Sequence, residues 1–326
     1  MKVCVYGAGA IGGYLGVELA QSGVDVTLIA RGPHLDAIRA NGLTLLIGDE
    51  RKVARVAATD SPAEAGPHDY VILGMKAHSV PPIVDGMAPL LGSDTAVVTA
   101  QNGVPWWYFH AFPGPHEGHR IESVDPGGAV WDTLGAERAI GCVVYPSCEI
   151  VEPGVVKHID GKRFMLGEPD GSKSARVVAL SKALTKAGLK APVRAKIRDD
   201  IWLKLWGNCS FNPVSVLTLS TLEQMTSHAP TRAVIRHLMT EAEAVATALG
   251  VTFPVDVETR IDWGGDVGAH KTSMLQDLER GRPMEIDALV AAVAELGRLV
   301  GVGTPTLDAV LALVQLRADL ARESRT

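Results

Sequence analysis

At 326 residues, 47% hydrophobic and 21% charged, the chain has ordinary globular composition and the length for about two domains with sizeable cores. A net charge of −6 and a pI near 5.9 argue against a nucleic-acid-binding surface, although an acidic mean still permits a local cationic pocket. No apolar run approaches the ~18 residues of a membrane span, and no basic, apolar and small-residue leader precedes the first strand, so a cytoplasmic protein with no membrane partner is expected. The four cysteines, Cys4, Cys142, Cys148 and Cys209, form no CxxC, and the histidines form no HxxxH or HExxH pair. Reduced thiols and no metal site are the expectation.

The chain opens on Lys2-Val3-Cys4-Val5-Tyr6, a buried-strand pattern that runs into Gly7-Ala8-Gly9-Ala10-Ile11-Gly12 and then an apolar helix stopped at Gly23. This is a GxGxxG turn in its proper context, followed by a second strand at Asp25–Ala30. The first glycine suits a tight turn, the second lets the backbone approach a pyrophosphate, and the third lets helix and sheet pack closely. The helix N-terminus offers its own N–H groups to phosphate. After the second strand the chain reads Ala30-Arg31-Gly32, with no carboxylate to accept from a ribose hydroxyl. Arg31 is either an ordinary surface arginine or a cation for a 2′-phosphate, and the pattern favours NADPH.

Further along, Gly42–Ala58 reads as a hairpin around Gly48-Asp49, Tyr70–Leu73 and Ala96–Thr99 as short strands, and His78–Leu91 and Ser174–Ala187 as helices. Between Val104 and Arg138 lies a long, irregular stretch rich in aromatics, with Trp106, Trp107, Tyr108, Phe109 and Phe112. These rings suit a lid, an enlarged pocket, a subunit contact or a plain core anchor. From about Lys196 strand signals stop. Helical spacing follows at Leu238, Met239, Ala242, Val245, Ala246 and Leu249, at Leu289, Val293 and Leu296, and at Leu307, Val310, Leu311 and Val314 after Thr304-Pro305. The expected fold class is therefore α/β: an amino-terminal Rossmann-type doubly wound sheet over residues 1–193, followed by an all-helical domain over 194–326.

Several residues could carry chemistry. Lys204, Asn208 and Asn212 recur at i, i+4, i+8 on a helix from about Arg198, so one stripe presents a cation and two amides among Trp202, Leu205 and Trp206. Such groups are costly to bury without partners, but a wet polar face would produce the same spacing. Ser273 and Glu285 flank a helix and a Gly-Pro break, and could either meet in a site or simply cap helices. Lys76 and Asn102 follow strands, at the sheet edge where ligands of open α/β folds bind; turn chemistry is the rival account of Asn102-Gly103.

Together, GAGAIGG at the amino terminus, MKA at Met75–Ala77, QNG at Gln101–Gly103, KLWGNCSFNP at Lys204–Pro213 and SMLQDLERGRPMEID at Ser273–Asp287 resemble the ketopantoate reductase family over nearly the whole chain. The resemblance implies NADP(H)-dependent reduction of a 2-keto acid, 2-dehydropantoate, to the 2-hydroxy acid on the route to pantothenate. It implies a cleft between a Rossmann-type and a helical domain, with a small-molecule partner and pairing of two copies. It carries the general acid to Lys204, hydroxyl-end contacts to Asn208 and Asn212, the carboxylate contact to Ser273, and a place near the nicotinamide to Asn102. Glu285 matches an acid that places the nicotinamide ribose and the lysine. Arg31 and Lys76 join Gly7, Ala8, Gly9, Ala10, Ile11 and Gly12 on the cofactor side. The aromatic segment after Gly103 departs from the family pattern, which leaves a bulkier 2-keto acid or an imine as the alternative substrate. A non-catalytic NADPH-binding sensor is the alternative from another class.

Overall fold

The computed structural model describes residues 1–323 and forms two compact units, Met1–Arg120 with Asp125–Ile197, and Ile121–Val124 with the chain from Arg198 onward. In chain order the first unit contains β1 (Lys2–Tyr6), α1 (Ala10–Gln21), β2 (Asp25–Ile29), α2 (Gly32–Asn41), β3 (Leu43–Ile47), β4 (Glu50–Ala54), β5 (Ala57–Thr59), α3 (Pro62–Ala65), β6 (His68–Leu73) and β7 (Leu91–Ala100). It continues through α4 (Ala129–Leu134), β8 (Ala139–Val144), β9 (Ser147–Glu152), β10 (Val155–Asp160), β11 (Phe164–Gly167) and α5 (Ala175–Lys186).

Its main sheet has seven strands in the order β11-β8-β7-β6-β1-β2-β5, parallel throughout except for β11 against β8. Because β1 lies between β2 and β6, the chain progresses outward on one side and then returns to build the other. That reversal makes the carboxyl ends of β1 and β6 the switch point where ligands of open α/β sheets bind. Strands buried on both faces should read as apolar runs, and Val3, Cys4 and Val5 of β1 and Val71, Ile72 and Leu73 of β6 are all buried to within 1%.

A second sheet, β4-β3-β10-β9, was only half visible in the sequence. The hairpin expected at Gly42–Ala58 is present as β3 and β4, but Ala57–Thr59 leaves it to edge the main sheet. Helix α1 packs against both sheets through glycines. A Cβ on Gly16 would stand 2.7 Å from Leu28 Cδ2 of β2, and one on Gly13 2.8 Å from Val156 Cγ2 of β10. The helix expected over His78–Leu91 is instead two 3₁₀ segments, Ala77–Ser79 and Pro81–Leu90, since three prolines within it remove N–H donors.

The aromatic stretch resolves as a core anchor. Trp107, Tyr108 and Phe109 are fully buried, with Trp106 and Phe112 nearly so. Trp107 Nε1 donates to Thr99 Oγ1 of β7 at 2.9 Å, and the Tyr108, Phe109 and Phe112 rings meet edge-on or tilted at 4.9–5.9 Å. Rings held in this way do not stand as an exposed lid.

In the second unit α6 (Ile197–Thr218), whose first residue closes the first unit, is followed by α7 (Leu222–Ser227), α8 (Ala229–Ala248), α9 (Val257–Gly265), α10 (Ser273–Glu279), α11 (Ala292–Val300) and α12 (Pro305–Glu323). Among the described residues no strand follows β11. Leu238, Met239, Ala242, Val245 and Ala246 form the buried face of α8 expected from their spacing. Leu289 sits in a π-helical turn, Asp287–Ala291, that leads into α11. Ile121–Val124 are tied to α11 by Glu295, whose carboxylate oxygens accept from Glu122 N and Ser123 N at 2.8 Å each. No helix among the described residues is long and apolar enough to cross a membrane.

Candidate active site

In the first unit the glycine turn is built as its sequence requires. Gly7 has φ +92°, open to glycine at little cost, and its N–H and that of Ala8 both donate to Ile29 O of β2, at 3.0 and 2.9 Å. Gly12 sits directly against Gly7, so that a Cβ there would overlap Gly7 O outright and stand 3.0 Å from Val5 Cγ1. Gly9 differs: a Cβ there meets nothing within 4 Å, so open space faces it. It precedes α1 as the N-cap residue and contributes no side-chain cap. The N–H groups of Gly9, Ala10, Ile11 and Gly12 therefore fall at the positions that an α-helix leaves without intrahelical acceptors. A helix start of this kind at the switch point, with open space at Gly9, suits the pyrophosphate of a dinucleotide.

The other first-unit candidates sit on the same sheet edge. Arg31 follows β2, is exposed, and is the N-cap residue of α2; its charge reaches back to Tyr6, opposing the upward pull of burial and of Cys4 on that phenol. Lys76 follows β6 and Asn102 follows β7, both half-buried. Gln101 Nε2 donates to Met75 O at 2.9 Å and ties these two loops together. Gly103 has φ +91°, so the Asn-Gly turn reading also holds; the same turn carries Asn102 past the strand end.

In the second unit Lys204, Asn208 and Asn212 lie on one stripe of α6 as their spacing predicts. The environment is not a wet face. Trp202, Leu205, Trp206, Cys209, Phe211 and Val214 are all buried, Lys204 and Asn208 are half-buried, and Asn212 is 4% exposed. Trp206 Nε1 donates to Met239 O of α8 at 2.7 Å, locking this part of α6 in place. Asn212 Nδ2 is buried with no hydrogen-bond partner, an arrangement that costs stability unless a ligand supplies an acceptor. The neighbouring Cys209 is no nucleophile, because burial pushes its thiol up to about 12.

Ser273 joins that stripe through residues the sequence did not single out. Ser215, three residues beyond Asn212, donates to Asn212 O at 2.7 Å and lies 2.5 Å from Thr272 Oγ1. With the Ser215 proton spent on Asn212 O, the Thr272 hydroxyl donates to Ser215 and accepts from Leu275 N at 3.2 Å. Thr272, and not Ser273, is thus the N-cap of α10, and Ser273 stands exposed at the first helical position beside the foot of the Asn212 turn. Glu285 is buried just before the π-helical turn, past a break where Arg282 N returns to Asp277 O at 2.8 Å. Such turns recur at functional sites, and no sequence signal announced this one. Among the described residues no group of three or more His, Cys, Asp or Glu side chains could hold a metal ion.

A switch-point glycine turn in one unit, with a lysine and two amides on a buried helix in the other, defines an oxidoreductase of the two-unit α/β type. The chain belongs to the ketopantoate reductase PanE/ApbA family: residues 3–107 match the family description and residues 196–318 its C-terminal part. It is 58% identical to a 2-dehydropantoate 2-reductase of Mesorhizobium japonicum, over 97% of each chain. A Ralstonia solanacearum protein assigned as a ketopantoate reductase superposes with a TM-score of 0.93 at 41% identity, covering 98% of each chain. The ternary structure of D-mandelate dehydrogenase with NADH and anilino(oxo)acetate shares the fold, with a TM-score of 0.83 over 99% of each chain at 23% identity.

Proposed function

We propose that the chain reduces 2-dehydropantoate to the 2-hydroxy acid with NADPH, in pantothenate biosynthesis, with residues 1–193 holding the cofactor and 194–326 the keto acid. The observation that carries the reading is the buried Asn212 amide nitrogen, which has no hydrogen-bond partner and lies on the same helix face as Lys204 and Asn208. The 58% identity to the Mesorhizobium enzyme supports this particular keto acid.

Reduced nicotinamide supplies the hydride. As negative charge grows on the carbonyl oxygen, the Lys204 ammonium stabilises it and then gives it a proton, completing the hydroxyl. Asn208 and Asn212 hold the hydroxyl-bearing end of the substrate, Ser273 its carboxylate, and Asn102 the region near the nicotinamide. Glu285 orients the nicotinamide ribose and Lys204. On the cofactor side the N–H groups of Gly9–Gly12 take the pyrophosphate, with Gly7 and Ala8 shaping the turn and Lys76 beside it. Arg31 takes the 2′-phosphate, since the end of β2 bears no carboxylate to prefer a free ribose.

The test follows NADPH absorbance with 2-dehydropantoate. Lys204→Ala should cut kcat about 10²- to 10⁴-fold and leave NADPH affinity unchanged. A variant that keeps most of its rate would remove Lys204 as the acid. Binding of NADPH by the wild-type protein without turnover would favour the sensor.

A further inference from the structure

We infer that His34 is a positioning residue for the cofactor, aiming the glycine turn by gripping its backbone from behind. The inference rests on the dinucleotide reading above. His34 lies in the first turn of α2, three residues after Arg31, and is half-buried. Its Nδ1 accepts from Gly154 N, in the turn between β9 and β10, at 3.0 Å, and its Nε2 lies 2.8 Å from Ala8 O. These two bonds fix its chemical state. A ring nitrogen that accepts from an N–H carries no proton, so the imidazole is neutral, the proton is on Nε2, and Nε2–H donates to Ala8 O.

The consequence follows from peptide geometry. Ala8 C=O and Gly9 N–H belong to one planar trans peptide and point in opposite directions. Holding the oxygen toward His34 turns the Gly9 N–H the other way, as the first of the turn's phosphate donors. Three other backbone groups of the loop are already held: Gly7 N and Ala8 N by Ile29 O, and Gly9 O by Gly13 N at 2.7 Å. His34 adds the hold on the Ala8–Gly9 peptide.

The far end of the grip is equally firm. Gly154 has φ +78°, and a Cβ there would stand 2.9 Å from Ala37 Cβ, so its turn lies close against α2. The second sheet thereby buttresses the cofactor loop through one side chain, on the same helix start that bears Arg31. The two residues have separable tasks. Arg31 tells NADPH from NADH, whereas His34 serves the pyrophosphate common to both.

The experiment titrates the full chain with NADPH and with NADH by nicotinamide fluorescence, which needs no turnover. His34→Ala should weaken both nucleotides by a similar factor, about tenfold, leaving their ratio unchanged. Arg31→Ala should lower that ratio. His34→Gln, whose terminal amide nitrogen can replace Nε2, should recover affinity to within about threefold, while His34→Asn, which reaches only the Nδ1 position, should bind as poorly as His34→Ala. A merely structural histidine would not separate Gln from Asn in this way. Equal rescue by both, or unchanged affinity in His34→Ala, would overturn the inference. Failure of the wild-type chain to bind either nucleotide would overturn the dinucleotide reading itself.

Discussion

Gly9 and Gly12 stand three residues apart in one turn, and the structure assigns them opposite kinds of necessity. At Gly12 an added Cβ would overlap Gly7 O and stand 3.1 Å from Gly7 C, both backbone atoms of a residue whose own N–H is held by Ile29. Relief requires α1 to move off the sheet by about 1 Å, opening the packing around Tyr14, Leu15, Val17 and Leu19, each no more than 3% exposed. Gly12→Ala should therefore destabilise by about 3 kcal/mol or more, the upper part of the overpacking range. At Gly9 an added Cβ meets nothing within 4 Å, and its φ of −70° suits any residue. Gly9→Ala should stay within about 1 kcal/mol of wild type, the cost of a poorer N-cap. It places a methyl where a pyrophosphate would approach, so nucleotide affinity should fall at least about tenfold. Denaturant unfolding and fluorescence titration of the two variants read both quantities. A stable Gly12→Ala chain, or a Gly9→Ala chain that binds NADPH as wild type does, would refute the reasoning.

Asn212→Leu should hold or raise stability in the absence of ligand, because it removes a buried amide nitrogen whose unmet hydrogen bond costs ~1–3 kcal/mol. The same change should lower kcat/KM for the keto acid at least about 100-fold, and a simple loss of stability would show that the amide is structurally required. Burial pushes the Cys4, Cys148 and Cys209 thiols up to about 12, so a thiol reagent at pH 8 should modify these three slowly in the folded chain and quickly in denaturant. The sign for stability is set by the unfolded chain, whose thiols ionise near ~8.5. Below that value nothing is lost; above it the unfolded state sheds protons that the folded state keeps, and stability should fall by about 1.4 kcal/mol per pH unit per thiol up to about 12. Unfolding midpoints measured from pH 7 to 10 check this, and a flat profile would contradict it.

Local order carried much of the information. The run from Lys2 to Gly12 announces strand, turn and helix because Gly7 and Gly12 answer nearby steric demands, and the stripe of Lys204, Asn208 and Asn212 follows from helical period alone. The helical half was legible for the same reason: its apolar residues repeat within one element. The burial of polar side chains and of the aromatic loop was not legible. Nothing local separates a wet polar face from the burial of Asn212, or a lid of aromatic rings from Trp107 anchored on Thr99, because both pairs share one spacing. The same limit hid β9 and β10, the hydroxyl link from Ser215 to Thr272, and the reach of His34 to Gly154 120 residues away. What the sequence determined by itself was the set of elements and the chemistry each could bear, since these depend on neighbours within a few residues. Which polar groups are dry, and which distant backbone they hold, was decided only when the chain closed on itself, because desolvation and hydrogen-bond partners come from residues far away along it.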